Sequence, residues 1–448
     1  MTHTSILDRA EIESMGPPVP EEIADTNTSQ ESLCDLALKH IAMLAEPTTR
    51  AVAERICLPR TLTEELLQQL HREKFIEVRG QTSPGATRYA MLDRGWARVA
   101  QLRLMCGYTG PAPVALGDYA HLMRLQAVPR QLANIEAVRR AFNDLVLPDS
   151  LLQTLGCVIN SRRSLFLTGL PGTGKTAVAE RINSALAGAI WIPYAIEIDN
   201  QVIRVFDAHS HRLATSIDMP AEYDRRWVLI ERPLVIVGGE LTLEHTNLAW
   251  SETARFYEAP FQMKANGGTL VIDDFGRQRV SPEDLLNRWI VPLERRVDYL
   301  SMQTGQKIEV PFEQLVLFST NLEAKDLVDE AFLRRMGYRA RIELPTPGAY
   351  TEIFKRAAAA RGIAYDKACL DHLLNNYIIE QRPMKSCEPR DLLNRVADIC
   401  VFEGLPLELN TKFLNTAWRN YFGASHNFIA QTQSSGAKEQ TDVDLLQV

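Results

Sequence analysis

The chain has 448 residues, 46% of them apolar and 23% charged, with a net charge of −7 at pH 7. That length calls for more than one compact domain, and the charge excludes a uniformly basic field spread over nucleic acid. Its 7 cysteines form no C-x-x-C pair, no apolar run is long enough for a bilayer helix, and the N-terminus is polar, which excludes a disulfide scaffold, a zinc module and membrane insertion and leads us to expect a cytoplasmic protein.

Residues 1–29 are rich in acids, prolines and serines and read as a disordered tail. Periodicity then predicts helices from Ser32 to Leu44, over about Arg50–Ile56 and over about Leu62–Arg72. Phe75–Val78 and Thr87–Met91 read as strands around a turn-rich tip, and a further helix runs from Arg94 to about Leu104. In this order of elements, residues 30–106 resemble a winged helix-turn-helix module. Docking on DNA through the third helix and docking on protein both remain open. From Glu31 to Cys106 there are 11 Lys/Arg against 9 Asp/Glu, less positive charge than a groove-binding helix needs. The Gly/Pro-rich Gly107–Pro113 makes residues 107–135 read as a linker.

Leu165-Phe166-Leu167 has the character of a buried strand, and Ala177–Ile182 that of a helix. Between them Gly169-Leu170-Pro171-Gly172-Thr173-Gly174-Lys175-Thr176 fits G-x-x-x-x-G-K-[ST], a phosphate-binding loop. Gly172 and Gly174 let successive N–H groups turn inward onto phosphate oxygens, and the helix N-terminus around Lys175, Thr176 and Ala177 adds its partial positive charge. Lys175 is placed to reach the β- and γ-phosphates of ATP, and the Thr176 hydroxyl to ligate Mg²⁺. Upstream, Leu145-Val146-Leu147-Pro148 reads either as an apolar wall for the base or as core.

Ala189–Ile198 reads as the second strand of the sheet. Pro233–Val237 and Glu240–Glu244 flank Gly238-Gly239, a hairpin signal. Such a hairpin serves either as a contact for a substrate or partner or as an extension of the sheet edge. Thr269–Ile272 is the third strand and ends in Asp273-Asp274, where the carboxyl ends of parallel strands border a ligand crevice. Asp273 suits the Mg²⁺ shell and Asp274 the polarisation of an attacking water. A helix over about Pro282–Arg295 follows, then a second hairpin around Thr304-Gly305. Gln314–Asn321 is the fourth strand, and Asn321 reads as a ligand of the γ-phosphate or lytic water, or as a turn residue. A short helix carries Arg334 and Arg335, Arg339–Leu344 is the fifth strand, and Pro345-Thr346-Pro347 closes the α/β unit, 136–347. Residues 348–423 are helical by period, with Glu388–Leu393 opening an amphipathic helix, and 424–448 read as a disordered tail.

Over roughly residues 136–423 this ordered set resembles the AAA+ ATPases. The stretch Lys264–Asp274 looks like the corresponding run of bacterial enhancer-binding activators, magnesium chelatases and MoxR-like ATPases, and the hairpin before Gln314 is similar to the pre-sensor-1 hairpin of that group. The resemblance implies an α/β fold, a five-stranded parallel P-loop sheet with a helical lid beside the N-terminal winged-helix domain. It implies that Asp273 supports Mg²⁺, that Asn321 is sensor 1, that Arg335, with Arg334 as rival, is an arginine finger acting on a neighbouring subunit's ATP, and that Arg390 is sensor 2. The family usually has Glu where this chain has Asp274, which bears on hydrolysis more than on binding. The implied protein is a homo-oligomeric ring, expected as a hexamer, that hydrolyses ATP to remodel a protein client. A DNA-directed motor and a slow nucleotide-dependent switch are the alternatives. No aromatic-glycine pore loop occurs, so polypeptide threading is not implied.

Overall fold

The computed structural model describes residues 16–81, 87–127, 134–186, 188–217, 219–322, 327 and 336–423. They divide into two compact units. The first draws on the described residues of 1–141, 152–168 and 179–340, the second on those of 142–151, 169–178 and 341–448.

The first unit opens with helices Gln30–Ile41, Thr49–Ile56 and Arg60–Arg72, an antiparallel pair Ile76–Gln81 and Thr87–Met91, and helix Asp93–Met105. Ser29 Oγ accepts from Ser32 N at 3.0 Å and Thr48 Oγ1 from Ala51 N at 3.1 Å, satisfying amides that the first turns leave unpaired. Leu33, Leu36, Val52, Ile56, Leu66 and Leu70 form its core.

That core does not stop at residue 106. Tyr108 and Ala112, in the stretch expected as a linker, are buried in it together with Ala195 and Val202. Val114–Ala115 then pairs in parallel with Ala195–Ile198, and helix Leu116–Leu125 buries Tyr119 and Met123. Residues 107–127 are therefore structural, because their apolar side chains have a sheet to pack against. Part of the expected N-terminal tail is also docked: Pro17 O accepts from Asp224 N at 2.8 Å, and Thr26 O from the buried Arg226 guanidinium at 3.2 Å.

A five-stranded parallel sheet forms the centre of the unit. Its strands, numbered along the chain, are β1 (Leu165–Gly169), β2 (Leu234–Val237), β3 (Thr269–Ile272), β4 (Leu315–Thr320) and β5 (Tyr338–Ile342). They lie in the order β5-β1-β4-β3-β2. Leu165–Thr168 of β1 stand in register with Leu317–Thr320 of β4, and all four residues of β3 are buried between β4 and β2. Near-continuous apolar runs are what strands covered on both faces require.

Two expectations fail here. Ala189–Ile198 is not the second strand: it breaks at Tyr194, its first half pairing antiparallel with Trp227–Glu231 and its second joining a separate mixed sheet with Gln201–Arg204. Leu234–Val237 takes the place beside β3 instead. Nor does Gly238-Gly239 close a hairpin. Glu240 Oε1 accepts from Gly238 N at 3.0 Å and the chain enters a short 3₁₀ turn at Glu244–Thr246. The later hairpin is present, Val297–Ser301 pairing with Lys307–Pro311. Helix Pro282–Arg295 precedes it, with Ser281 Oγ capping Asp284 N at 3.1 Å.

The second unit holds a bundle of helices Pro347–Ala359, Lys367–Ile379, Glu388–Glu403 and Thr411–Phe422. Tyr350, Phe354, Leu373, Tyr377, Leu393 and Trp418 form its core. Thr346, Asp366 and Asn410 cap three of the four N-termini.

Candidate functional site

The chain leaves β1 through the glycine-rich loop and enters helix Lys175–Ala185. The loop's shape needs its glycines. Gly169 has φ +153° and Gly172 φ +83°, left-handed values that L side chains rarely adopt. An added Cβ would come within 2.6 Å of the backbone Ile342 O at Gly169 and within 2.6 Å of Cys387 Sγ, the tip of a side chain, at Gly172. Thr173 Oγ1 donates to Leu170 O at 2.9 Å across the turn, and Val178 N to Gly174 O at 3.0 Å as the helix begins. Lys175 is buried, and its ammonium donates to Gly169 O at 2.9 Å and Leu170 O at 3.1 Å. The cation is thus held inside the bend of its own loop. Pro171 and Leu170 are exposed, while Thr176 and Ala177 are half-buried at the helix start.

The bundle meets this loop through Cys387. Cys387 N, at the N-cap of helix Glu388–Glu403, donates to Gly172 O at 3.0 Å. Just inside, Glu388 is buried; its Oε2 accepts from Tyr377 Oη at 2.7 Å and Lys385 N at 2.8 Å. Burial pushes the Glu388 carboxyl up from its ordinary value, against the pull of those hydrogen bonds. Arg390, two residues on, is 65% exposed, and its Nε pairs with Asp391 Oδ1 at 3.2 Å. Leu145, Val146 and Leu147 are half-buried in the same unit, and Leu145 O and Asn143 O accept from the Arg356 guanidinium.

In the first unit Asp273 and Asp274 follow β3 at the carboxyl edge of the sheet. Asp273 is fixed through its backbone, with N donating to Val237 O and O accepting from Gln278 Nε2, both at 2.8 Å. Asp274 turns the chain with φ +49°, a left-handed value that Asp tolerates better than most residues. Its amide donates to Asp273 Oδ1 at 3.1 Å. The following Phe275 crosses to β4, donating to Ser319 O at 2.7 Å and packing edge-on against Phe166 and Phe318. This return brings Asn321 to Asp274, Nδ2 donating to Oδ1 at 3.0 Å. Asn321 and Asp274 are joined by a direct hydrogen bond that nothing in their spacing announces. Arg334 and Arg335 lie outside the described residues.

The Thr176 hydroxyl in the second unit and the Asp273 carboxylate in the first are each hard-oxygen donors of the kind Mg²⁺ takes. Among the described residues no cluster of His, Cys, Asp and Glu would cage a metal by itself, and no helix is long and apolar enough to cross a membrane.

A parallel sheet ordered β5-β1-β4-β3-β2, a glycine-rich loop after β1, paired acids after β3 and a helical bundle define the class: an α/β P-loop fold of the AAA+ type. A family model described as a domain of unknown function, DUF8689, matches residues 346–420, within the bundle. No curated protein matches the chain in sequence. Among solved structures, a T158V variant of RuvB from Thermotoga maritima aligns with 65% of this chain and 72% of its own, at 14% identity and a TM-score of 0.36. NtrX from Brucella abortus in complex with ATP aligns with 66% of this chain and 62% of its own, at 15% identity and a TM-score of 0.38.

Proposed function

We propose that the chain binds Mg-ATP on Gly169–Thr176 and hydrolyses it between the subunits of a cytoplasmic ring, a hexamer in the simplest case, to remodel a protein client. The observation that carries this reading is the loop itself, bent by Gly169 and Gly172 at left-handed φ with the Lys175 ammonium turned onto its inner carbonyls. Such a loop presents several N–H groups and a cation to one anion. In this reading Thr176 and Asp273 hold Mg²⁺, which would neutralise charge building on the phosphates. Asp274, oriented by Asn321, takes the proton of the attacking water. Arg335 or Arg334 of a neighbouring subunit neutralises transition-state charge, and Arg390 reports the nucleotide state to the bundle.

The test is ATP turnover by wild type and Lys175→Ala. Turnover should be lost with Lys175, and an undiminished rate in that variant refutes the site. Arg335→Ala mixed with Asp273→Ala should regain turnover if the finger acts in trans.

A slow nucleotide switch is a second reading, favoured by Asp274 being a methylene shorter than the family's Glu and already engaged by Asn321. Wild-type turnover no faster than that of Asp274→Asn would select it. A DNA-directed motor is tested by salt titration on duplex DNA, where steep loss of affinity with salt supports it and no binding at low salt removes it.

A further inference from the structure

Within the first unit, helix Gln30–Ile41, strand Ala195–Ile198 and the strand pair Ala249–Trp250 and Tyr257–Glu258 border a cavity of about 560 Å³. That volume lies in the roughly 300–1,000 Å³ range of small-ligand sites. Two charges that line it lack a counter-ion. Lys39 is 5% exposed, and its ammonium donates to Tyr108 O at 2.6 Å and Cys106 O at 3.2 Å, carbonyls of two residues that also line the cavity. An ammonium has three donors, and among the described residues the third has no acceptor. Glu197 is half-buried, and its Oε1 accepts from a neutral donor, Ser32 Oγ, at 2.8 Å. Among the described residues neither Lys39 nor Glu197 takes part in an ion pair. Burial pushes the Lys39 ammonium below its ordinary pKa and the Glu197 carboxyl above its own, as befalls charges taken from water without a counter-ion. The other charges are matched or exposed: Arg98 pairs with Asp35 at 2.8 Å, and Glu31 and Asp199 are exposed. Trp250 and Tyr257 add aromatic surface, their ring centroids 4.8 Å apart, and Tyr257 Oη is held by Gln303 N at 3.0 Å.

We propose that this cavity binds a free α-amino acid with an apolar or aromatic side chain, its carboxylate on the Lys39 ammonium, its ammonium on the Glu197 carboxylate and its side chain against Trp250 and Tyr257. A zwitterion brings each unmatched charge its opposite, which an amine or a carboxylic acid alone does not. No residue of the glycine-rich loop lines this cavity, so the inference stands apart from the nucleotide reading.

The experiment is calorimetric titration of the full chain, without nucleotide, with leucine, phenylalanine, N-acetyl-leucine and leucinamide, for wild type, Glu197→Gln and Lys39→Met. N-acetyl-leucine lacks the ammonium and leucinamide the carboxylate. Each analogue should bind wild type roughly tenfold to a hundredfold more weakly than leucine, the worth of one charge-assisted hydrogen bond. Glu197→Gln keeps an acceptor for Ser32 Oγ and removes only the charge. It should lose a like factor for leucine while its affinity for N-acetyl-leucine stays within about threefold of wild type, because the group that Glu197 holds is already gone. Lys39→Met should behave in the same way toward leucinamide. No binding of leucine or phenylalanine at millimolar concentration overturns the proposal. So does unchanged leucine affinity in either folded variant, and so do analogues that bind as well as leucine, the mark of apolar contact alone. Near-UV circular dichroism establishes that each variant is folded; if Lys39→Met is not, Glu197→Gln with leucine and N-acetyl-leucine decides.

Discussion

Gly172→Ala probes the junction of loop and bundle with two separable costs. The first is backbone: at φ +83° an L-residue costs roughly 1–2 kcal/mol more than glycine. The second is steric, because the new Cβ would sit 2.6 Å from Cys387 Sγ. Sulfur is the tip of a side chain, so Cys387 can swing aside at roughly 1 kcal/mol of rotamer strain. The single variant should therefore lose about 2–3 kcal/mol in urea unfolding followed by near-UV circular dichroism. Cys387→Ala removes the obstructing atom while its amide still donates to Gly172 O. The double variant should regain about 1 kcal/mol of the loss, leaving the backbone cost untouched, and that coupling is what a double-mutant cycle reports. A coupling within about 0.3 kcal/mol of zero means that Cys387 does not pack on the loop.

Asn321→Ala removes the donor to Asp274 Oδ1; kcat should fall roughly a hundredfold for a misplaced base while ATP affinity, by calorimetry, stays near wild type. Asp298 is fully buried and accepts from Arg288 Nη1 at 2.6 Å and Gln262 Nε2 at 3.0 Å, so Asp298→Ala should cost about 3–5 kcal/mol in urea unfolding, as expected when one partner of a buried pair is removed. Burial works against ionising Asp207, yet hydrogen bonds from Lys264 and the His209 amide outweigh it and hold its pKa near about 2, below the ordinary 3.8. A depressed carboxyl stabilises the fold above the unfolded value and loses that contribution as pH falls toward 2. Asp207→Asn should therefore cost roughly 2 kcal/mol at neutral pH and flatten the stability curve between about pH 4 and 2, read by acid titration of near-UV circular dichroism.

What could be read from the sequence was what backbone chemistry enforces locally. Gly169 and Gly172 are legible because only glycine takes those φ values there, and Asp273-Asp274 because acids after an apolar parallel strand fall at the sheet's carboxyl edge. Strand pairing was not legible. Ala189–Ile198 and Leu234–Val237 are equally apolar, and only the register of Leu234 with Thr269 selects the second as β2. Gly238-Gly239 carries a hairpin's composition, but the Glu240 carboxylate satisfies the Gly238 amide that a returning strand would have used. Tyr108 and Ala112 lay hidden in a Gly/Pro-rich stretch because composition reports turns, and burial depends on a partner far along the chain. The Asn321–Asp274 bond and the bond from Cys387 N to Gly172 O have no local signal either, since each joins residues brought together only by the fold.

The same long-range packing changes what the hairpin at Thr304-Gly305 is able to do. Leu300, Met302, Ile308 and Val310 are buried in one core with Ile196, Ile203 and Tyr257 of the mixed sheet. At its tip Gln303 N donates to Tyr257 Oη at 3.0 Å, and Gln306 Nε2 to Asp199 Oδ2 at 2.6 Å. The mixed sheet is bound on its other side to the N-terminal helices, Ala195 and Val202 lying in their core. Swinging the hairpin out alone would expose four large apolar side chains, at roughly 1.5–3 kcal/mol each. That exceeds what two hydrogen bonds at a new partner return. The hairpin, the mixed sheet and the N-terminal helices are therefore held by continuous packing within the first unit.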